Sequence, residues 1–270
     1  MTTKKPPDVT ARIAELCMDF KLPLLADKLG KGLADAGHDD VLALVLEYFE
    51  LQAADRHERR VDRLRRASKL PPGKTLAALD VARLPKQLAA KLKELAKGEF
   101  LDRPDNVLCF GLPGVGKSHA AAAIGHALVE RGHAVLFTAT FKLVQELLVA
   151  KRDLKLSRAL RALDAYELLI LDDIGYVQQD KDELDVLFTL MAERYERRSM
   201  LITSNLVFSE WSKIFKDPMT TASAIDRVVH HSVILEFADV KTFRGEAAEK
   251  RRAGKGNKNA DESDGPAAPP

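Results

Sequence analysis

The chain has 270 residues and a formal net charge of +2, with 46% hydrophobic and 30% charged residues. This composition suits one sizeable core with a smaller appendage and excludes a wholly disordered chain, and the near-balanced charge leaves any affinity for a polyanion to local basic patches. No uninterrupted run of 18 apolar residues is present and the start, MTTKKPPDVTARIAELC, lacks the apolar region of a signal peptide, so the expected location is the cytoplasm with no membrane partner.

From Asp8 to about Lys69 the pattern is helical. Val9, Ile13, Leu16 and Phe20 recur every three to four residues, and Asp39 is placed to cap a second, longer helix carrying Val41, Leu42, Val45 and Phe49. Residues 1–70 therefore read as a small all-helical domain for meeting a partner or DNA. Its last stretch, DRHERRVDRLRRASK, holds seven Lys or Arg against three acids, and the turn Leu70-Pro71-Pro72-Gly73 opens a linker over 71–85. Cys17 and Cys109 fall in different domains, which argues for buried, reduced thiols rather than a disulfide or a zinc site.

Residues 86–244 form the main domain. After a helix near 86–97, apolar runs alternate with amphipathic stretches, the pattern of a parallel α/β sheet. Strands are predicted at Asn106–Phe110, Ala134–Thr138, Leu168–Asp172, Met200–Thr203 and Val233–Phe237. Helices are predicted near 117–131, 140–162, 182–197 and 222–231. Residues 245–270 are polar, bear Gly and Pro and lack a period, so they read as a disordered tail.

The first strand runs into Gly111, Leu112, Pro113, Gly114, Val115, Gly116, Lys117, Ser118 and His119, and then into the strong helix former AAAAIGHALVE. This is the P-loop pattern in its strand-loop-helix setting. Glycines let the backbone curl so that its amides and the helix N-terminus face phosphate oxygens. Lys117 supplies a point charge for the β- and γ-phosphates, and the Ser118 hydroxyl can ligate Mg²⁺. ATP and Mg²⁺ are therefore the expected cofactors, and ATP hydrolysis the expected reaction.

The apolar run Leu168-Leu169-Ile170-Leu171 ends in Asp172 and Asp173. A buried strand of this kind delivers its charges at the carboxyl edge of the sheet, where the phosphates lie. Asp172 is expected to hold the Mg²⁺ hydration shell, and Asp173 to orient or deprotonate the attacking water. At the end of the next apolar strand Asn205 places an amide that can bond the water or the γ-phosphate.

With these elements in order, the segments GLPGVGKSHAAAAIGHAL, ELLILDDIG, ERYERRSMLITSN and DRVVHHSVILEF resemble the AAA+ ATPases of the helicase-loader and initiator branch. Most closely they resemble the IstB-type transposition helpers of insertion sequences. The resemblance implies a three-layer P-loop core with a parallel five-stranded sheet and the Asn205 strand between the P-loop and Asp172 strands. It also implies a homo-oligomer with ATP sites shared at subunit seams, duplex DNA and a cognate transposase as partners, and a role in target selection. Arg227 matches the arginine that reaches a neighbour's site, with a salt bridge to Asp226 or Asp239 as its structural alternative. Little sequence follows the last strand, so no helical lid is expected, and Arg244 is the one substitute for a second sensor arginine. A replicative helicase loader of the DnaC type is the close rival.

Two basic stretches are candidates for DNA. Lys151, Arg152, Lys155 and Arg158 are predicted on one helix, with Asp153 the only nearby acid; Arg59, Arg60 and Arg63 belong to the arginine-rich end of the N-terminal domain. A solvated, self-paired helix face would show the same pattern, and the residues alone leave both readings open.

Overall fold

The computed structural model describes residues 8–176, 181–206, 210–211 and 226–237. The chain divides into two compact units, the first ending at Arg63 and the second starting at Leu64. Among the described residues no helix is long and apolar enough to cross a membrane.

The first unit holds α1 (Val9–Asp19), α2 (Pro23–Asp35) and most of α3 (Asp39–Ala67). Asp8 starts α1 by accepting the Thr10 N–H at 3.0 Å, which satisfies an amide the helix itself cannot. α2, not distinguished by the apolar spacing, opens with Pro23, whose fixed φ suits a first turn. Asp39 does not precede α3 as a cap; it lies with Asp40 inside the first turn, where both carboxylates favour the positive end of the helix dipole. Ile13, Cys17 and Leu42 make the buried centre, and Phe20 meets Phe49 edge-on at 5.6 Å between centroids.

The second unit contains β1 (Asn106–Phe110), β2 (Val135–Ala139), β3 (Leu168–Asp172), β4 (Ser199–Ser204) and β5 (Ser232–Glu236). Its helices are α4 (Lys86–Leu95), α5 (Lys117–Glu130), α6 (Thr140–Arg152), α7 (Leu156–Leu163) and α8 (Lys181–Arg194). All strands are parallel in the order β2-β3-β4-β1-β5, so β4 lies between β1 and β3 as the resemblance implies. Leu201 on β4 stands opposite both Val107 and Ile170.

Helices cover both faces of the sheet, which is why its central strands are continuously apolar. On one face Ile170 approaches α5 so closely that a Cβ on Gly125 would sit 2.9 Å from its Cδ1. On the other, Leu169 and Leu171 join Leu143, Leu147, Leu163, Val186 and Leu190 from α6, α7 and α8. Each such fully buried aliphatic side chain stabilises the fold by about 1.5–3 kcal/mol.

Two expectations are corrected here. The single helix predicted over 140–162 is two helices. The Leu154 N–H bonds the Lys151 carbonyl at 3.1 Å and the Lys155 N–H bonds that of Ala150 at 2.7 Å, with Leu154 at φ 57, and this closes α6. Lys151 and Arg158 therefore do not share one helix face. The segment expected as a linker is also not a bare spacer. The Phe137 N–H donates to the Ser68 carbonyl at 2.7 Å, Leu79 and Leu84 are buried, and His126 and His119 on α5 meet the carbonyls of Pro71 and Thr75 at 3.0 and 3.2 Å. Of the helix expected near 222–231, residues 226–229 are helical. Asp239, Arg244, the expected lack of a lid and the tail over 245–270 lie outside the described residues.

Candidate nucleotide site

Because β1 ends at Phe110 and α5 starts at Lys117, the intervening loop exposes the first amides of α5, which have no carbonyl partners within the helix. Gly114 and Gly116 take φ values of 86° and 101°, where a side chain would be strained, and Gly116 caps α5. At Gly111 the constraint is space: a Cβ would sit 2.7 Å from that of Phe237. Val115 is buried and pins the loop inward, while Leu112 and Pro113 are exposed. Lys117, itself buried, donates to the carbonyls of Gly111 at 2.7 Å and Leu112 at 2.9 Å. Ser118 is half-buried on the first turn of α5, and the His119 ring is engaged by the Thr75 carbonyl.

The carboxylates arrive from β3. A feature the sequence reading passed over organises them: the Thr203 hydroxyl on β4 donates to Asp172 Oδ1 at 2.7 Å and accepts the Asp173 N–H at 2.8 Å. Asp173 sits at φ 64, a left-handed turn that aspartate tolerates, and Thr140 holds the Asp172 carbonyl at 3.1 Å. The charges of Lys117 and Asp172 each act on the buried thiol of Cys109. Burial pushes that thiol up to about 12, Lys117 pulls it down and Asp172 pushes it further up. Cys109 is therefore an inert filler, as expected.

Asn205 follows β4. Its Oδ1 is buried without a hydrogen-bond partner among the described residues and lies against Gly175, where any Cβ would collide with it. Arg227 makes no ion pair among the described residues; its guanidinium stacks 4.8 Å from the centroid of Phe188. The segment behind it is fastened by Asn106, a second residue the sequence reading missed. Asn106 donates to the Val228 carbonyl at 3.2 Å and accepts the Met200 N–H at 2.9 Å, tying that segment and β4 to β1.

The basic candidates are less free than their spacing suggests. Lys151 pairs with Asp182 at 2.7 Å and reaches Asp185 at 3.7 Å, so Asp153 is not the only acid nearby, and the Asp182 bond raises the lysine pKa. Lys155 pairs with Asp153 at 3.2 Å and Arg59 with Asp55 at 3.0 Å; Arg60 is also engaged. Arg63, Arg152 and Arg158 are exposed. Exposed pairs of this kind contribute less than about 1 kcal/mol, so a row of phosphates can displace them.

Residues 29–250 match the family of IstB-like ATP binding proteins. The chain belongs to that family. At 46% identity over 249 residues it is similar to an insertion sequence ATP-binding protein of Sinorhizobium fredii, with 91% of this chain and 83% of the relative covered. It is 37% identical over 204 residues to the ATP-binding protein of insertion sequence IS21 from Pseudomonas aeruginosa, with 76% of each covered. Among solved structures, DnaI aligns with a TM-score of 0.52 at 21% identity, covering 63% of this chain and 95% of that one. AMPPCP-bound DnaA from Aquifex aeolicus aligns at 0.54 and 15% identity, covering 69% and 57%. These likenesses show an AAA+ P-loop fold. This IstB-like chain is accordingly an ATP-binding protein with an AAA+ P-loop fold, for which ATPase activity is the expectation.

Proposed function

We propose that this IstB-like protein hydrolyses ATP with Mg²⁺ at seams shared between copies and assembles on duplex DNA in the cytoplasm. There it prepares a target site and recruits or stimulates the transposase of its insertion sequence. The observation that supports the chemistry is geometric: at the carboxyl edge of the sheet Thr203, paired with Cys109 of the strand that leads into the P-loop, bonds the Asp172 carboxylate at 2.7 Å. The insertion-sequence origin of its relatives supports the role in transposition.

Lys117 exchanges the neutral carbonyls of Gly111 and Leu112 for anionic phosphate oxygens, so that both donor and acceptor are charged. The donor set suits a hard cation: the Ser118 hydroxyl and the Asp172 carboxylate, oriented by Thr203 through Oδ1, are the oxygens that would hold Mg²⁺ and its hydration shell. Mg²⁺, when bound, neutralises charge on the phosphates. Asp173 orients the attacking water and takes its proton, and Asn205 offers its unpartnered Oδ1 as an acceptor to the same water. Arg227 serves the neighbouring copy.

Thr203 fixes the Asp172 carboxylate and the Asp173 backbone, so Thr203→Val is expected to lower ATP turnover about 10- to 100-fold, the usual cost of losing a group that orients metal-site ligands. Thr203→Ser, which keeps the hydroxyl, should recover most of it. Steady-state rates against Mg²⁺ concentration check this, and equal rates for the valine variant would remove Thr203 from the site.

The wider reading is tested by comparing duplex with single-stranded DNA at matched salt while following phosphate release. Duplex preference, a steep loss of affinity with salt and a per-subunit rate that rises with protein concentration are expected. A preference for single strands would favour a helicase loader, and binding without phosphate release an architectural DNA protein.

A further inference from the structure

Leu154, in the turn between α6 and α7, lies at φ 57 with 95% of its surface exposed. The two backbone bonds that close α6 place it at the left-handed position after the helix, where glycine is the favoured residue because it has no Cβ. A branched side chain there is strained, and this one recovers nothing by burial. Among the described non-glycine residues at positive φ the others are Lys21, Lys69, Pro104, Asp173 and Glu196, so Leu154 is the one branched aliphatic. Folding alone would select glycine or a polar residue. A leucine gains only from something outside the chain that covers it.

Charge identifies that cover. From Lys151 to Arg161 the chain carries five cations and one acid; Lys151 is taken up by Asp182 and Asp185 and Lys155 pairs with Asp153, while Arg152, Lys155 and Arg158 stand exposed around the turn. An apolar tip within a cationic collar matches proteins that kink duplex DNA, in which cations grip phosphates while a hydrophobic side chain enters between base pairs. We propose that Leu154 is a wedge that unstacks a base step of duplex DNA, with Arg152, Lys155 and Arg158 on the flanking phosphates. This rests on the duplex reading above and deepens it. Pyrimidine–purine steps such as TA unstack most easily, so the wedge selects target sites by deformability without contacting base edges.

The test uses the full-length protein with a non-hydrolysable ATP analogue and duplexes carrying 2-aminopurine at successive positions, with a dye pair on the duplex ends. The wild type is expected to raise 2-aminopurine fluorescence about twofold or more at particular steps and to shorten the end-to-end distance. Leu154→Gly, which the turn accepts without strain, should melt no lower than the wild type and keep the same salt slope. It should lose both optical signals. Wild-type binding without a fluorescence rise, or a rise that survives in Leu154→Gly, overturns the wedge while leaving the duplex reading intact. Absence of duplex binding by either protein removes the duplex reading and the wedge together. Leu154-dependent binding to anionic phosphatidylserine vesicles, with duplex signals unaltered by the substitution, would assign the tip to a lipid surface and also overturn it.

Discussion

Arg227→Ala is expected to slow ATP turnover of the assembled protein by about 10³- to 10⁵-fold, or roughly 4–7 kcal/mol, the scale on which an arginine finger acts on a phosphoryl transition state. The affinity of a single copy for ATP should be unaltered. Among the described residues the guanidinium pairs with no acid, and it rests on the face of Phe188 at 4.8 Å, a contact of about 0.5–1 kcal/mol that phosphate charge readily outbids. Asn106 meanwhile holds the backbone at Val228 through a 3.2 Å bond, so the side chain can swing while its base stays fixed. Arg227→Lys should fail nearly as badly, because an ammonium lacks the planar fork. A mixing experiment isolates the shared seam: Arg227→Ala and Lys117→Ala subunits, each inactive alone, should regain activity together. Wild-type rates for Arg227→Ala, with no gain on mixing, would place each site within one copy.

Arg194→Ala should destabilise the second unit by about 3–5 kcal/mol, the cost of leaving several buried backbone carbonyls without a donor, and lower its melting temperature by roughly 6–20 °C. Arg194 ends α8 with only 1% of its surface exposed. It donates to the carbonyls of Leu163, Tyr166 and Ser199 at 3.0 Å each and approaches that of Glu167 at 3.5 Å. One side chain thus joins the end of α7, the entry to β3 and the start of β4. Burial depresses its pKa to about 10, still far enough above neutrality to keep it charged at pH 7. Arg194→Met should restore little, because the orphaned acceptors belong to the backbone and remain buried whatever replaces the guanidinium. Thermal and urea unfolding check this; a melting temperature within a degree or two of wild type would show that water replaces the guanidinium at no cost.

What the sequence made legible follows from the strength of each local signal. The strands were readable because β1, β3 and β4 are apolar runs bounded by turn residues, and the P-loop because its glycines and lysine serve one geometry. The split between α6 and α7 was not, since the left-handed residue that ends α6 is Leu154 and no glycine punctuates the chain there. Arg194 was equally hidden. In Glu193-Arg194-Tyr195-Glu196-Arg197-Arg198 every arginine looks solvated, and only packing shows that Arg194 turns inward while Arg197 pairs with Asp164 at the surface. Thr203 passed as an ordinary strand former, because a β-branched residue in an apolar run raises no polar signal until its hydroxyl is seen between two carboxylate residues. Charge spacing misled for a related reason. Asp182 is distant from Lys151 in sequence, and no reading of a helix face reveals a partner brought in by another element.

Calorimetric titration of Mg-ATP into the wild type and Lys117→Ala tests most directly whether a triphosphate is gripped between the P-loop and Asp172. With melting curves showing both proteins folded, the affinity of the variant should fall about a hundredfold or more, equivalent to about 2.7 kcal/mol of lost charge-assisted bonding. Equal affinities would contradict the account and move the nucleotide to another site.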